Sequence, residues 1–185
     1  MSSTLPPALQ PATTALLVVD MQEKLLSAMH SDTRLIGVVG RMIDAARILE
    51  LPIIVTEQYP AGLGHTHPDL LARLGNVQPV SKTKFSACID DVVTALRELN
   101  RPNIIVAGIE AHVCVQQTVM DLLRLGFTPF VLGHGISSRR SSNRDFAIRL
   151  MRRAGAVMTS MEAVTFEMMG DARHPAFKEI LGIIK

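Results

Sequence analysis

The stretch "NIIVAGIEAHVCVQQTVMDLLRLGF", residues 103–127, decides how the rest of the chain is read. Its apolar run, Ile104 to Ala107, reads as the middle of a buried strand over 103–108. A helical pattern follows from about Val113 to Leu125, and Gly126 stands where a C′ residue closes a helix. Between the two lies Cys114, one of only two cysteines. It reads either as a packing residue or as a nucleophile held where strand becomes helix.

The same alternation extends in both directions. "ALLVVD" (15–20), "PIIVTE" (52–57), "VQPVSK" (77–82), "TPFVLG" (128–133) and "AVMTS" (156–160) read as further strands. Helical spacing runs through 34–50, 89–100 and 142–155. Asp90 and Asp91 suit the first turn of the second of these helices, and a polar N-cap is expected for the third. Pro175 suits position N1 of a short final helix. Strands alternating with helices imply right-handed crossovers and a parallel sheet covered on both faces. The fold class is therefore α/β. Residues 15–185 read as one domain, preceded by a flexible Pro-, Ser- and Thr-rich segment over 1–14.

Composition narrows the function. The 185 residues are 48% hydrophobic and 19% charged, with a formal charge of +2. That is globular, with no block of like charge. Only 4% are aromatic and none is Trp, which speaks against a base-stacking nucleic-acid surface. Two cysteines do not make a disulfide framework, and no CxxC pair is present. Cys88 reads as structural. No apolar run approaches the ~20 residues of a membrane span. A cytoplasmic protein with reduced thiols and no membrane partner is expected.

Polar residues at strand ends carry the chemistry. Asp20 ends the first strand, Glu57 and Gln58 the second, and Lys82 the third, while Cys114 lies just beyond the fourth. In a parallel sheet these ends share one edge, where ligands bind. Taken singly, Asp20 also reads as a helix cap, Lys82 as a solvated lysine and Cys114 as a small buried apolar residue. A thiol at a helix N-terminus would have its pKa lowered by the dipole and by a nearby lysine. The Gly-, Pro- and His-rich segment 58–76 is too long for a mere connector. His112 reads as local structure.

Together "ALLVVDMQEKLL", "VTEQYPAGLGHT", "SKTKFSAC", "GIEAHVCVQQTVMDLLRLGF" and the tail through "GDARHPAFKEI" resemble the isochorismatase-like cysteine hydrolase superfamily. Within it, they resemble the subgroup described only as isochorismatase domain-containing proteins. The resemblance implies a three-layer Rossmann-like fold with a six-stranded parallel sheet flanked by helices. It implies a catalytic triad of Asp20, Lys82 and Cys114, with Lys84 the competitor for the lysine. It implies a non-proline cis peptide at Ile109–Glu110 and an oxyanion hole from the N–H groups of Glu110 and Cys114. Gln58, Tyr59 and Phe85 are candidate substrate contacts.

A metal-binding branch of the superfamily has Asp-x-His after its second strand. Here Gln58-Tyr59-Pro60 stands instead, and His65 and His67 lack an obvious third partner. No metal or other cofactor is therefore expected. Members that cleave a vinyl ether do not use a cysteine nucleophile, so Cys114 favours acyl chemistry. His134-Gly135 stands where an Asp-Ala-like pair is expected. The resemblance also implies a homo-oligomer, dimer or tetramer. The expected activity is metal-independent cleavage of an amide-type C–N bond of a small-molecule substrate through a Cys114 thioester. The competing expectation is a non-catalytic oligomeric scaffold or a redox-responsive thiol protein on the same fold.

Overall fold

The computed structural model describes residues 5–29 and 32–185. Six strands form it: β1 (Thr14–Val19), β2 (Ile53–Gln58), β3 (Val80–Lys82), β4 (Asn103–Ile109), β5 (Thr128–Ser137) and β6 (Val157–Thr159). The described helices are α1 (Glu23–Leu26), α2 (Asp32–Ile48), α3 (Pro60–Leu63), α4 (Pro68–Leu74), α5 (Asp90–Glu98), α6 (Gln116–Arg124), α7 (Ser141–Ala154), α8 (Met161–Met169) and α9 (Phe177–Ile184). The strands pair in the order β3-β2-β1-β4-β5-β6, and every pairing is parallel. This is the α/β, Rossmann-like arrangement expected from the sequence. The chain runs outward from β1 to β3, returns beside β1 as β4, and runs outward again. The order reverses between β1 and β4, and open α/β sheets bind ligands at the carboxyl ends of the strands at such a point.

Both faces of the sheet are apolar because both are covered. In β1, Leu16 and Val18 join a core with Leu35, Met42, Leu70, Val164 and Ile180. Ala15, Leu17 and Val19 point the other way, to Val92, Leu96, Val119, Leu122 and Met151. So α2, α4, α8 and α9 cover one face, and α5, α6 and α7 the other. Among the described residues, no helix is long and apolar enough to cross a membrane.

Several boundaries differ from those read in the sequence. Residues 1–4 of the expected lead-in lie outside the described residues. Beyond them, Leu9 is buried and its N–H donates to Glu167. Segment 58–76 holds α3 and α4, each with proline in its first turn. Helix α8 was not expected; Ser160 caps it by accepting the Ala163 N–H. Helix α7 starts after Arg140 with no side-chain cap, so the expected polar N-cap is absent. Pro175 precedes the N-cap Ala176 rather than opening α9. Strand β5 runs on to Ser137 through a register shift against Val106 and Gly108. That shift absorbs His134 and Gly135, and Arg144 donates to the carbonyls of Gly133 and Ile136 there.

Gly108 sits where β4 meets the turn that follows it, with φ +128, a value L side chains rarely adopt. A Cβ there would collide with the Val19 carbonyl of the adjacent strand. Gly108→Ala is therefore expected to abolish the cooperative fold, checked by circular dichroism and thermal unfolding against the parent.

Candidate active site

The end of β1 sets the site. After Val19 the chain turns at Asp20 with φ +53, uncommon for a residue other than glycine. The Asp20 N–H donates to Thr56 O, and its carbonyl accepts the Gln22 N–H. Gln22, not Asp20, occupies the N-cap of α1. The Asp20 carboxylate therefore points into the sheet edge with no capping role. Its Oδ1 accepts the Thr56 hydroxyl at 2.8 Å and its Oδ2 accepts Lys82 Nζ at 2.7 Å. Both side chains are 0% exposed.

Lys82 is placed by the β2–β3 register, which sets it opposite Gln58. Its ammonium also donates to Gln58 Oε1 at 2.7 Å, Phe85 O at 3.0 Å and Lys84 O at 3.2 Å. Lys84 thus offers its carbonyl to the site, while Lys82 supplies the buried charge. A buried ammonium is tolerated only when paired and fully hydrogen-bonded, as this one is.

Gln58, expected at the pocket wall, turns inward. Its Oε1 holds Lys82 and its Nε2 donates to Thr83 O at 2.7 Å. Gln22 in turn accepts the Gln58 N–H at 2.7 Å and donates to the carbonyls of Gln58 and Gly64. Tyr59 and Phe85 are 56% and 55% exposed. Tyr59 lines an open groove of about 450 Å³ with Pro60, Ser81, Lys84 and Asp91. Lys82 also lines that groove but neither Asp20 nor Cys114 does, so it meets the buried trio at the Lys82 end.

Cys114 does not stand at an α-helix N-terminus. It is the fourth residue of a π-helical turn, Ala111–Val115, that precedes α6. The Val113 and Val115 N–H groups both donate to Glu110 O, and Thr118 Oγ1 donates to Cys114 O at 2.6 Å. The Asp20 carboxylate, the Lys82 ammonium and the Glu110 backbone N–H all act on the sulfur and shift its proton affinity. The Ile109–Glu110 peptide is cis. The structure thus brings Asp20, Lys82, Glu110 and Cys114 together.

The proton affinities correct the sequence expectation. The Cys114 thiol is not lowered; burial, and then the Asp20 charge, push it up to about 12. Lys82 and the Glu110 N–H pull the other way and are outweighed. Burial also raises Asp20 above the ordinary carboxylate value, against the opposing pull of Lys82, Thr56 and Cys114. The resting site therefore holds a neutral thiol beside an Asp20–Lys82 ion pair. Helix-dipole reasoning fails because desolvation in the β-sheet crevice is the larger effect.

Among the described residues, His65 and His67 make local contacts. His65 Nδ1 lies 3.0 Å from Glu57 Oε2, and His67 accepts the Asp69 N–H at the start of α4. His134 lines a second cavity of about 420 Å³ with Arg34, Ser138 and Arg144. Cys88 is half-buried, its thiol directed at Thr118 O.

Glu57 anchors segment 58–67 from below, accepting the Thr66 N–H at 2.7 Å and its hydroxyl at 2.8 Å. Burial alone would raise this carboxyl, but the Thr66 and His65 bonds outweigh it and lower its pKa. The stabilisation is thus fully present above the unfolded value of ~4.3 and is lost as pH falls through the lower folded value. Glu57→Gln is expected to lower Tm by roughly 3–6 °C at pH 7. The difference from the parent should shrink in acid, as measured by calorimetry across pH.

Residues 14–163 match the isochorismatase domain model. The chain belongs to the isochorismatase family. Isochorismatase domain-containing protein 1 of Salmo salar is 42% identical over 177 residues, 95% of this chain. The chain spans 62% of the length of that relative. A Caenorhabditis elegans structure described as MAR1 ribonuclease superposes with TM-score 0.93 at 45% identity, covering 96% of this chain and 92% of that one. YcaC from Pseudomonas aeruginosa, solved with hexane-2,5-diol and covalent acrylamide, gives TM-score 0.91 at 28% identity, covering 98% and 93%.

Sequence reasoning reached Asp20, Lys82 and Cys114 but missed Gln22 and Thr56. The one signal for Gln22 was its spacing two residues beyond Asp20. Thr56 gave none, since a threonine inside a strand is ordinary.

Proposed function

We propose that this protein is a metal-independent cysteine hydrolase that cleaves an amide-type C–N bond of a small molecule. The observation that carries the reading is the fully buried Lys82–Asp20 pair at 2.7 Å, whose charges act directly on the Cys114 thiol beside it. Packing alone does not need two buried charges; an apolar pair of similar volume would often be at least as stable.

The chemistry follows from the resting protonation. Asp20 accepts the Cys114 proton as the sulfur attacks the substrate carbonyl, so thiolate forms only with the new C–S bond. Lys82 balances the carboxylate throughout. The Glu110 N–H, beside the sulfur, donates a hydrogen bond to the developing oxyanion, joined by the Cys114 N–H. Collapse breaks the C–N bond, and Asp20 returns its proton to the leaving amine. Water, deprotonated by Asp20, then attacks the thioester. Collapse releases the acid, and the thiolate regains its proton from Asp20. Each cycle consumes one water and leaves the site unchanged.

Tyr59 and Phe85, exposed beside this site, remain the proposed substrate contacts. Phe146 and Leu150, exposed on α7, support a homo-oligomer. The name of the Caenorhabditis elegans relative raises phosphodiester cleavage as a second reading. A buried thiol beside one carboxylate suits a small carbonyl better than a polymer backbone. The test is a panel of small carboxamides with RNA as a parallel arm, read by turnover and intact mass. An acyl adduct that disappears in Cys114→Ala supports the proposal. RNA cleavage that persists in Cys114→Ala would overturn it, as would peroxide-driven sulfenic acid without turnover on any amide.

A further inference from the structure

The π-helical turn that carries Cys114 is not a shape its own backbone fixes well. Two of its N–H groups share one acceptor, Glu110 O, where a regular helix would give each its own. Its geometry must be held from outside. Two side chains reach from it to the segment joining β5 and α7. Glu110 Oε2 accepts the Arg139 N–H at 3.0 Å and Arg139 Nε at 3.2 Å. His112 Nδ1 lies 2.9 Å from Ser138 Oγ, and its Nε2 lies 3.3 Å from Asn143 Nδ2. Ser138 is fully buried.

The partners settle the tautomer. An amide nitrogen only donates, so His112 Nε2 is the acceptor and Nδ1 carries the proton. Nδ1–H then donates to Ser138. His112 is thus held at both ring nitrogens, two residues from Cys114 and on a different element from each partner. It does not reach the thiol as a base, because both nitrogens are occupied elsewhere.

We infer that His112 is a positioning residue: by bridging Ser138 and Asn143 it clamps the cysteine turn so that the Cys114 sulfur stays between Asp20 and the Glu110 N–H. Glu110 and Arg139 form the second jaw of the same clamp. The inference rests on the proposed role of Cys114 for its effect on turnover, but the clamp itself does not. A displaced thiol would escape both the burial and the Asp20 charge that raise its pKa. A misplacement of about 1 Å can reduce turnover roughly 100-fold.

The experiment uses full-length protein in a Cys88→Ala background, so that iodoacetamide reports Cys114 alone. Parent alkylation is expected to climb with pH without levelling by about pH 10, because its thiol lies near 12. His112→Ala is expected to level near the ordinary value of ~8.5. On any amide the parent hydrolyses, its kcat should fall roughly 10–100-fold with KM within about 2-fold. His112→Asn, which keeps a donor facing Ser138, should recover most of both. Asn143→Leu, a milder lesion, should shift the alkylation profile in the same direction as His112→Ala. A parental alkylation profile in both His112→Ala and Asn143→Leu, with only Tm reduced, would overturn the inference. Alkylation needs no turnover, so the clamp is decided even where the amide reading fails.

Discussion

Cys114→Ala is expected to reduce amide turnover by about 10³-fold or more while leaving the fold in place. The size follows from the chemistry. Without the sulfur there is no thioester, and Asp20 can only activate water directly at a site built around a thiol. The acyl adduct should vanish from intact-mass spectra at the same time. Stability should change little, since the substitution removes one 5%-exposed sulfur from a turn held by Thr118, Glu110 and His112. Thermal unfolding checks this; a collapse of Tm would mean that lost activity reports lost structure. Cys114→Ser separates the roles further. It keeps a hydroxyl beside Asp20 but offers a far less acidic nucleophile, so adduct formation should remain strongly reduced.

Lys82→Met is expected to produce the largest loss of stability among the site variants. It leaves the Asp20 carboxylate buried without its cation and strips a donor from Gln58 Oε1 and the carbonyls of Lys84 and Phe85. Breaking a buried pair in this way costs about 3–5 kcal/mol. For a domain of this size that corresponds to a Tm drop of roughly 6–20 °C. Asp20 already lies above the ordinary carboxylate range because of burial, and loss of Lys82 removes the strongest opposing pull. Acylation needs Asp20 ionised. The acid limb of kcat/KM should therefore move to higher pH in Lys82→Met. The double variant Asp20→Asn with Lys82→Met should regain part of the stability, because no uncompensated charge remains. It should regain none of the activity. If the double variant were as unstable as the sum of the singles, the pair would not be coupled as its geometry implies.

The sheet was legible because it rests on local pattern, and the trio was legible only once the family resemblance was added to that pattern. Continuous apolar runs such as Ile104–Ala107 reveal strands buried on two faces. Asp20, Lys82 and Cys114 stood out because each follows such a run, and the resemblance then joined them. The helices α3, α4 and α8 were less legible. The first two are short and sit in a proline- and glycine-rich segment, and α8 is apolar on most sides, so none shows a clean amphipathic stripe. The extension of β5 was hidden because His134 and Gly135 interrupt its apolar run, and a register shift with Arg144 behind it absorbs the interruption.

The sequence by itself determined an α/β chain of alternating strands and helices, with an acid, a lysine and a thiol at strand ends. Only the tertiary structure decided what those groups are. It made Cys114 a protonated thiol in a π-helical turn instead of a dipole-activated thiolate. It turned Gln58 from the pocket wall to the lysine, and it gave His112 a clamping position. The reason is physical. Proton affinity and side-chain direction depend on desolvation and on partners such as Asp20 and Lys82, sixty-two positions apart in the chain and 2.7 Å apart in space. Spacing along the sequence carries neither quantity.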